Sequence, residues 1–245
     1  MNSKILRLAC LSSIVYTGER HLLDILSVDD QFCHIKCFNS HQSQGFICYD
    51  NFLNSCIVVF RGTDDAMDVI RDIRMLPTKN KYRPGNGYIH KGFYSALVWL
   101  YDDVTRYINT LKDKFVDMRI ICTGHSLGAA MATIMAYNVS ADELYTFGSP
   151  RVGTRSFVKD LEKTKLKHIR VVNGNDVVTK LPSPIIYSHH GDELKLTCVK
   201  ANCISNHLIC NYIANLYGTC SVIDDGLYNL VVKCAPQVIA AQTEC

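Results

Sequence analysis

The chain has 245 residues, 48% of them hydrophobic and 20% charged, with a formal net charge of +3. That length suits one domain, residues 1–245, with a sizeable core, and the composition is that of a folded globular chain. So small a charge, with no block of like charges, gives no case for a nucleic-acid partner. No apolar run approaches the ~20 residues that would span a bilayer.

Residues 1–15 (MNSKILRLACLSSIV) have the superficial form of a leader, a basic residue beside an apolar stretch. Arg7 interrupts that stretch and no small-x-small cleavage site follows, so the segment is read as an amphipathic helix. Ile5, Leu8, Leu11 and Val15 form its inward stripe, and the compartment is left open, with the cytoplasm favoured over secretion. Residues 19–45 are polar and read as irregular.

Phe46–Asp50 and Cys56–Phe60 read as two strands joined by the turn-rich Asn51–Ser55, an antiparallel hairpin. The second runs into Arg61-Gly62-Thr63. Ala66, Val69, Ile70 and Ile73 then keep the i, i+3, i+4, i+7 spacing of one helix face. A loop follows from Pro77 to Gly87, then His90-Lys-Gly-Phe93 and a long helix to about Phe115.

Arg119–Met131 (RIICTGHSLGAAM) organises the rest. A short apolar run passes through Gly124-His-Ser-Leu-Gly128 into an alanine-rich stretch of high helix propensity. A serine at a sharp strand-to-helix turn, flanked two residues away by glycines, is a nucleophile elbow. The glycines are needed because side chains there would collide with the neighbouring strand and helix. Ser126 is pushed out at a helix N-terminus whose dipole favours developing negative charge.

Strands at Leu144–Phe147 and His168–Asn173, alternating with helices, imply an α/β fold with parallel strands around the elbow. A short strand at 194–198 and a helix led by His207 through Leu216 complete the pattern. Residues 221–245 form a C-terminal extension with no functional reading.

An activated serine needs a base, and the base needs an acid to orient it, in the chain order Ser, Asp or Glu, His. Asp176 directly follows a strand, in a Gly-Asn turn. By comparison Asp142 precedes a strand, Asp160 lies in a helical stretch and Asp192 in a loop. His189, His190 and His207 all follow Asp176. Position favours His207, at the start of a helix, with His189 and His190 left as surface or substrate-wall residues. The oxyanion needs two backbone N–H donors: Leu127, after the nucleophile, and Thr63, at the end of an earlier strand.

Twelve cysteines are above average but below the disulfide-scaffold range. Cys56 and Cys122 sit in apolar strands and read as buried thiols, and Cys198-Val-Lys-Ala-Asn-Cys203 is the best local disulfide loop. Zinc at Cys33/Cys37 with His34, or at Cys198/Cys203, lacks the paired spacing of a metal site, so neither metal nor cofactor is expected.

Six stretches together resemble the class 3, fungal-type lipases of the α/β-hydrolase superfamily. They are Ile57–Thr63, His90–Phe93, Thr123–Ala129, Thr146–Gly153, Asn175–Pro182 and Asn206–Leu208, in family order from about residue 46 to 220. The resemblance implies a mixed, mostly parallel central sheet flanked by helices with a short helical lid. It implies Ser126 as nucleophile, Asp176 as acid and His207 as base. Thr63 and Leu127 become the oxyanion hole, and Asp72 the aspartate that holds the oxyanion hydroxyl. A disulfide between Cys198 and Cys203 matches one carried by fungal members.

Residues 64–76 correspond to the lid, with Met67, Val69 and Ile70 among its residues. Val69 stands where fungal lipases often carry tryptophan, so interfacial activation loses an aromatic anchor. Thr179 follows Val178 where a proline is common nearby. The implied activity is lipid-ester hydrolysis, foremost of triacylglycerol, at a lipid–water interface with transient membrane or droplet contact. Phospholipase A1, short-chain or aromatic esterase activity, and a silent lipid-binding module of the same fold are the alternatives. The family is often secreted, against the cytoplasmic expectation.

Overall fold

The computed structural model describes residues 2–27, 30–63, 76–197 and 204–237. Its main sheet has seven strands in the order β1-β2-β3-β6-β7-β9-β11. These are β1 (Phe32–Ser40), β2 (Ser43–Asp50), β3 (Ser55–Phe60), β6 (Arg119–His125), β7 (Glu143–Phe147), β9 (Lys167–Asn173) and β11 (Asp192–Leu196). β1–β2 and β2–β3 are antiparallel, whereas β3, β6, β7, β9 and β11 run parallel. A small second sheet joins β4 (Pro77–Thr78), β5 (Ile89–His90), β8 (Gly153–Thr154) and β10 (Tyr187–Ser188).

Both faces of the main sheet are covered, and the strands show it residue by residue. Ile57, Val59, Ile121, Tyr145 and Phe147 pack into one core, and their neighbours Cys56, Val58, Phe60, Ile120, Cys122 and Leu144 into the other. Period-2 alternation therefore sorts side chains between two apolar layers, which is why these strands read as continuous hydrophobic runs. The second layer is closed by α3 (Lys91–Lys112) and α4 (Leu127–Val139), with α5 (Arg155–Glu162) contributing Phe157 and Leu161. Among the described residues no helix is long and apolar enough to cross a membrane.

The first layer holds the larger departures from the sequence reading. α1 (Asn2–Ile14) buries Ile5, Leu8 and Leu11 as expected, but also Leu6, Arg7, Ala9, Cys10 and Ser12. It is enclosed on all sides because α6 (Ile209–Thr219) and α7 (Asp225–Cys234) pack against its outer face. Residues 225–234 thus have a structural role: Leu227, Leu230 and Val231 of α7 belong to the same core as α1.

The described residues of the 19–45 span are not irregular. They form α2 (Glu19–Leu26), with Leu22, Ile25 and Leu26 buried, and the edge strand β1. A register shift between Cys33 and Lys36 bends β1, and its side chains are mostly half-exposed, so polar residues are tolerated there. Asp192 opens β11 rather than lying in a loop.

Candidate active site

Five chain segments converge at the carboxyl edge of the parallel strands, the place where open α/β sheets bind ligands. β3 leads to Gly62-Thr63, β6 to Ser126, β7 to Gly148 and β9 to Asp176, while a 3₁₀ turn, Ser205–His207, carries the histidine.

The elbow is sterically tight. Ser126 has φ 58° and ψ −124°, in a region that side chains rarely adopt. Its N–H donates to the Phe147 carbonyl at 3.0 Å, and its own carbonyl accepts from Ala129 at 3.0 Å to start α4. A Cβ at Gly124 would lie 2.5 Å from the Gly128 carbonyl carbon, and one at Gly128 would strike the Phe60 carbonyl. Both glycines are required, as the sequence indicates. Ser126 itself is fully buried in this conformation, not exposed as expected. Gly62 brings the segment after β3 so close that a Cβ there would stand 3.3 Å from the Ser126 Cβ.

Ser126, His207 and Asp176 form one hydrogen-bonded chain. The Ser126 Oγ lies 2.9 Å from His207 Nε2, and His207 Nδ1 donates to Asp176 Oδ2 at 2.8 Å. Nδ1 must carry the proton because a carboxylate only accepts, which leaves Nε2 free to take the serine proton. Asp176 has no exposed surface, and it accepts further from the Val178 N–H at 2.9 Å and the Tyr212 hydroxyl at 2.5 Å. Burial, then the neighbouring carboxylate, pushes the Tyr212 phenol well up, so it stays a donor.

Thr63 and Leu127 line one cavity of about 430 Å³ with Gly62, Arg61 and Trp99. Leu127 heads α4, where first-turn N–H groups have no intrahelical acceptor. Asp72, Met67, Val69 and Ile70, the 64–75 part of the lid, and both cysteines of the 198/203 pair lie outside the described residues. Cys56 and Cys122 are buried thiols as expected, and burial pushes Cys56 up to about 12 and Cys122 well up.

Several supporting residues escape sequence reasoning. Gly148 holds φ +59°, and a Cβ there would lie 2.8 Å from Asp176 Oδ2 and 3.0 Å from His207 Nδ1. Asn173, buried at the end of β9, donates to the Asn206 carbonyl at 3.0 Å and accepts from Asn215 at 2.7 Å, fixing the histidine turn. His189 donates through Nε2 to the Thr179 carbonyl at 2.7 Å, tying down the turn after Asp176. Burial, then Arg170, lowers its imidazole to about 4. A glycine closing a strand was the available signal for Gly148; Tyr212 and Asn173 offered none.

A mostly parallel sheet carrying a serine elbow, an acid after β9 and a histidine after β11 makes this an α/β-hydrolase. The sequence profile described as Lipase (class 3) matches residues 57–185, more than half of the chain, which belongs to that family. A chloroplastic phospholipase A(1) of Arabidopsis thaliana is 32% identical over 163 residues, covering 58% of this chain and 36% of that protein. A lipase of Rhizomucor miehei is 30% identical over 151 residues, 57% of this chain and 41% of that one. The chain thus spans well under two thirds of the length of these relatives. Among solved structures, the Rhizomucor miehei triacylglyceride lipase superposes with TM-score 0.72 at 22% identity, over 80% of each chain. The lipase of Rhizopus microsporus var. chinensis gives 0.71 at 24%, over 79% of this chain and 74% of its own.

Proposed function

We propose that this chain is a serine hydrolase of lipid esters, acting at a lipid–water surface through Ser126, His207 and Asp176. The observation that carries the reading is the continuous hydroxyl–imidazole–carboxylate chain at 2.9 and 2.8 Å. Ser126 Oγ attacks the ester carbonyl carbon while His207 Nε2 takes its proton. Leu127 and Thr63 N–H groups hold the oxyanion, with the Thr63 hydroxyl as a further donor. The tetrahedral adduct expels the alcohol, protonated by His207. Water, deprotonated by the same imidazole, then releases the acid from the acyl-enzyme. No metal or cofactor enters this scheme.

Triacylglycerol is the proposed principal substrate. A phospholipase A1 activity is the second reading, favoured by the 32% identity to a protein of that name. Hydrolysis of triolein, phosphatidylcholine and p-nitrophenyl butyrate by wild type and Ser126→Ala tests both. Wild type should act on triolein foremost, and the variant should lose several orders of magnitude in kcat. Ser126→Ala at wild-type rate, or no Ser126 adduct with a fluorophosphonate, would refute the reading.

A further inference from the structure

We propose that Tyr16 and His125 are positioning residues that strap the catalytic histidine turn to the nucleophile strand, an inference that rests on the hydrolase reading above. His125 is the residue before Ser126, on β6. Its Nε2 lies 2.7 Å from the backbone carbonyl of His207. A carbonyl can only accept, so Nε2 carries the proton. The other ring nitrogen, Nδ1, then accepts from the Tyr16 hydroxyl at 3.0 Å.

The tautomer of His125 is thereby set from both sides. Burial, and then the neighbouring His207, holds its imidazole well below the ordinary range. It is a neutral ring, and it lies beside the His207 ring with centroids 4.6 Å apart. A neutral group there matters, because a second cation at that distance would oppose the imidazolium that His207 becomes during the reaction.

The side chain of His207 is already held by Asp176 and faces Ser126. The turn that carries it is held by Asn173 at the Asn206 carbonyl, and the next carbonyl, that of His207 itself, is the handle His125 takes. Nucleophile and base are 81 residues apart in sequence, yet through His125 the backbone of one is bonded to the residue preceding the other. Tyr16 adds a third segment. Its ring receives Arg61 at 5.4 Å, and its hydroxyl packs on Gly62, where a Cβ would collide with it. The strap thus joins the end of α1, the oxyanion loop, the elbow and the histidine turn.

The test is steady-state hydrolysis of p-nitrophenyl butyrate by the full chain, with melting temperature and fluorophosphonate labelling of each variant. His125→Leu removes the donor and should lower kcat roughly 10- to 100-fold, leaving KM within about twofold. His125→Gln can place an amide N–H near the Nε2 position and should recover most of that loss. Tyr16→Phe keeps the ring and should lower kcat roughly three- to tenfold. Adduct formation at Ser126 should slow in the same order.

His125→Leu with wild-type kcat, or His125→Gln as impaired as His125→Leu, would overturn the strap. Should His125→Leu fail to fold, Tyr16→Phe decides: an unchanged kcat overturns it. These outcomes are read against an active wild type. A wild type with neither turnover nor adduct would instead sink the hydrolase reading.

Discussion

Gly148→Ala probes how closely the fold is built around the Asp176–His207 pair. The new methyl would stand 2.8 Å from Asp176 Oδ2 and 3.0 Å from His207 Nδ1, where ordinary contact begins at 3.4 Å. The carboxylate must therefore retreat by 3.4 − 2.8, about 0.6 Å, and the imidazole by 3.4 − 3.0, about 0.4 Å. Neither has room to do so freely, since Asp176 is also bonded to Val178 and Tyr212. A misplacement of ~1 Å costs about 100-fold in rate, so about half of that should cost roughly tenfold in kcat. The φ of +59° adds about 1–2 kcal/mol of backbone strain for alanine. For a chain of this size that lowers Tm by roughly 2–8 °C. Ester hydrolysis and thermal melting read the two effects separately. A Gly148→Ala protein with unchanged kcat would refute the claim that the glycine is needed for triad geometry.

Three further outcomes are expected. Tyr212→Phe deletes one of the donors to a buried carboxylate, so kcat should fall about tenfold with KM nearly unchanged, and equal kcat would show the phenol to be incidental. Burial lowers His90 from 6.5 to about 4, so it is neutral when folded and protonates on unfolding below 6.5. Its contribution is fully present above pH 6.5 and is lost as pH falls towards 4, by about 2 kcal/mol at pH 5. Denaturant titrations at pH 7 and 5 should show that loss shrinking in His90→Phe, and identical pH slopes would exclude His90 as its source. Leu230→Ala, buried against α1, should cost about 2–5 kcal/mol in the same titrations, whereas a loss below 1 kcal/mol would mean α7 is a loose appendage.

What the sequence disclosed follows the range of the interactions involved. The elbow is local: two glycines and an alanine-rich helix are dictated within five residues of Ser126, so position and chemistry are both readable. The β3, β6 and β7 strands are buried on both faces, and continuous apolar runs announce that. β1 is an edge strand with a shifted register and mixed exposure, so Phe32–Ser40 carries no clean alternation. α1 presents an inward stripe, but its outer face is buried only because α6 and α7 arrive from the far end of the chain. Tyr212 and His125 are similar cases. A tyrosine on a helix and a histidine beside a serine mean little until Asp176 and the His207 carbonyl come within reach.

The enclosure of α1 also constrains how the molecule is made. Its partners include β6 and two helices, the last of which begins about two hundred residues after α1 ends. During synthesis this helix therefore emerges with its greasy surface uncovered and waits for about two hundred further residues before that surface is sealed. Contacts so distant in sequence slow folding and leave intermediates prone to self-association. Early-emerging protein should accordingly depend on whatever shields apolar surface in the cell, and late-arriving α7 acts as the clasp that ends that dependence.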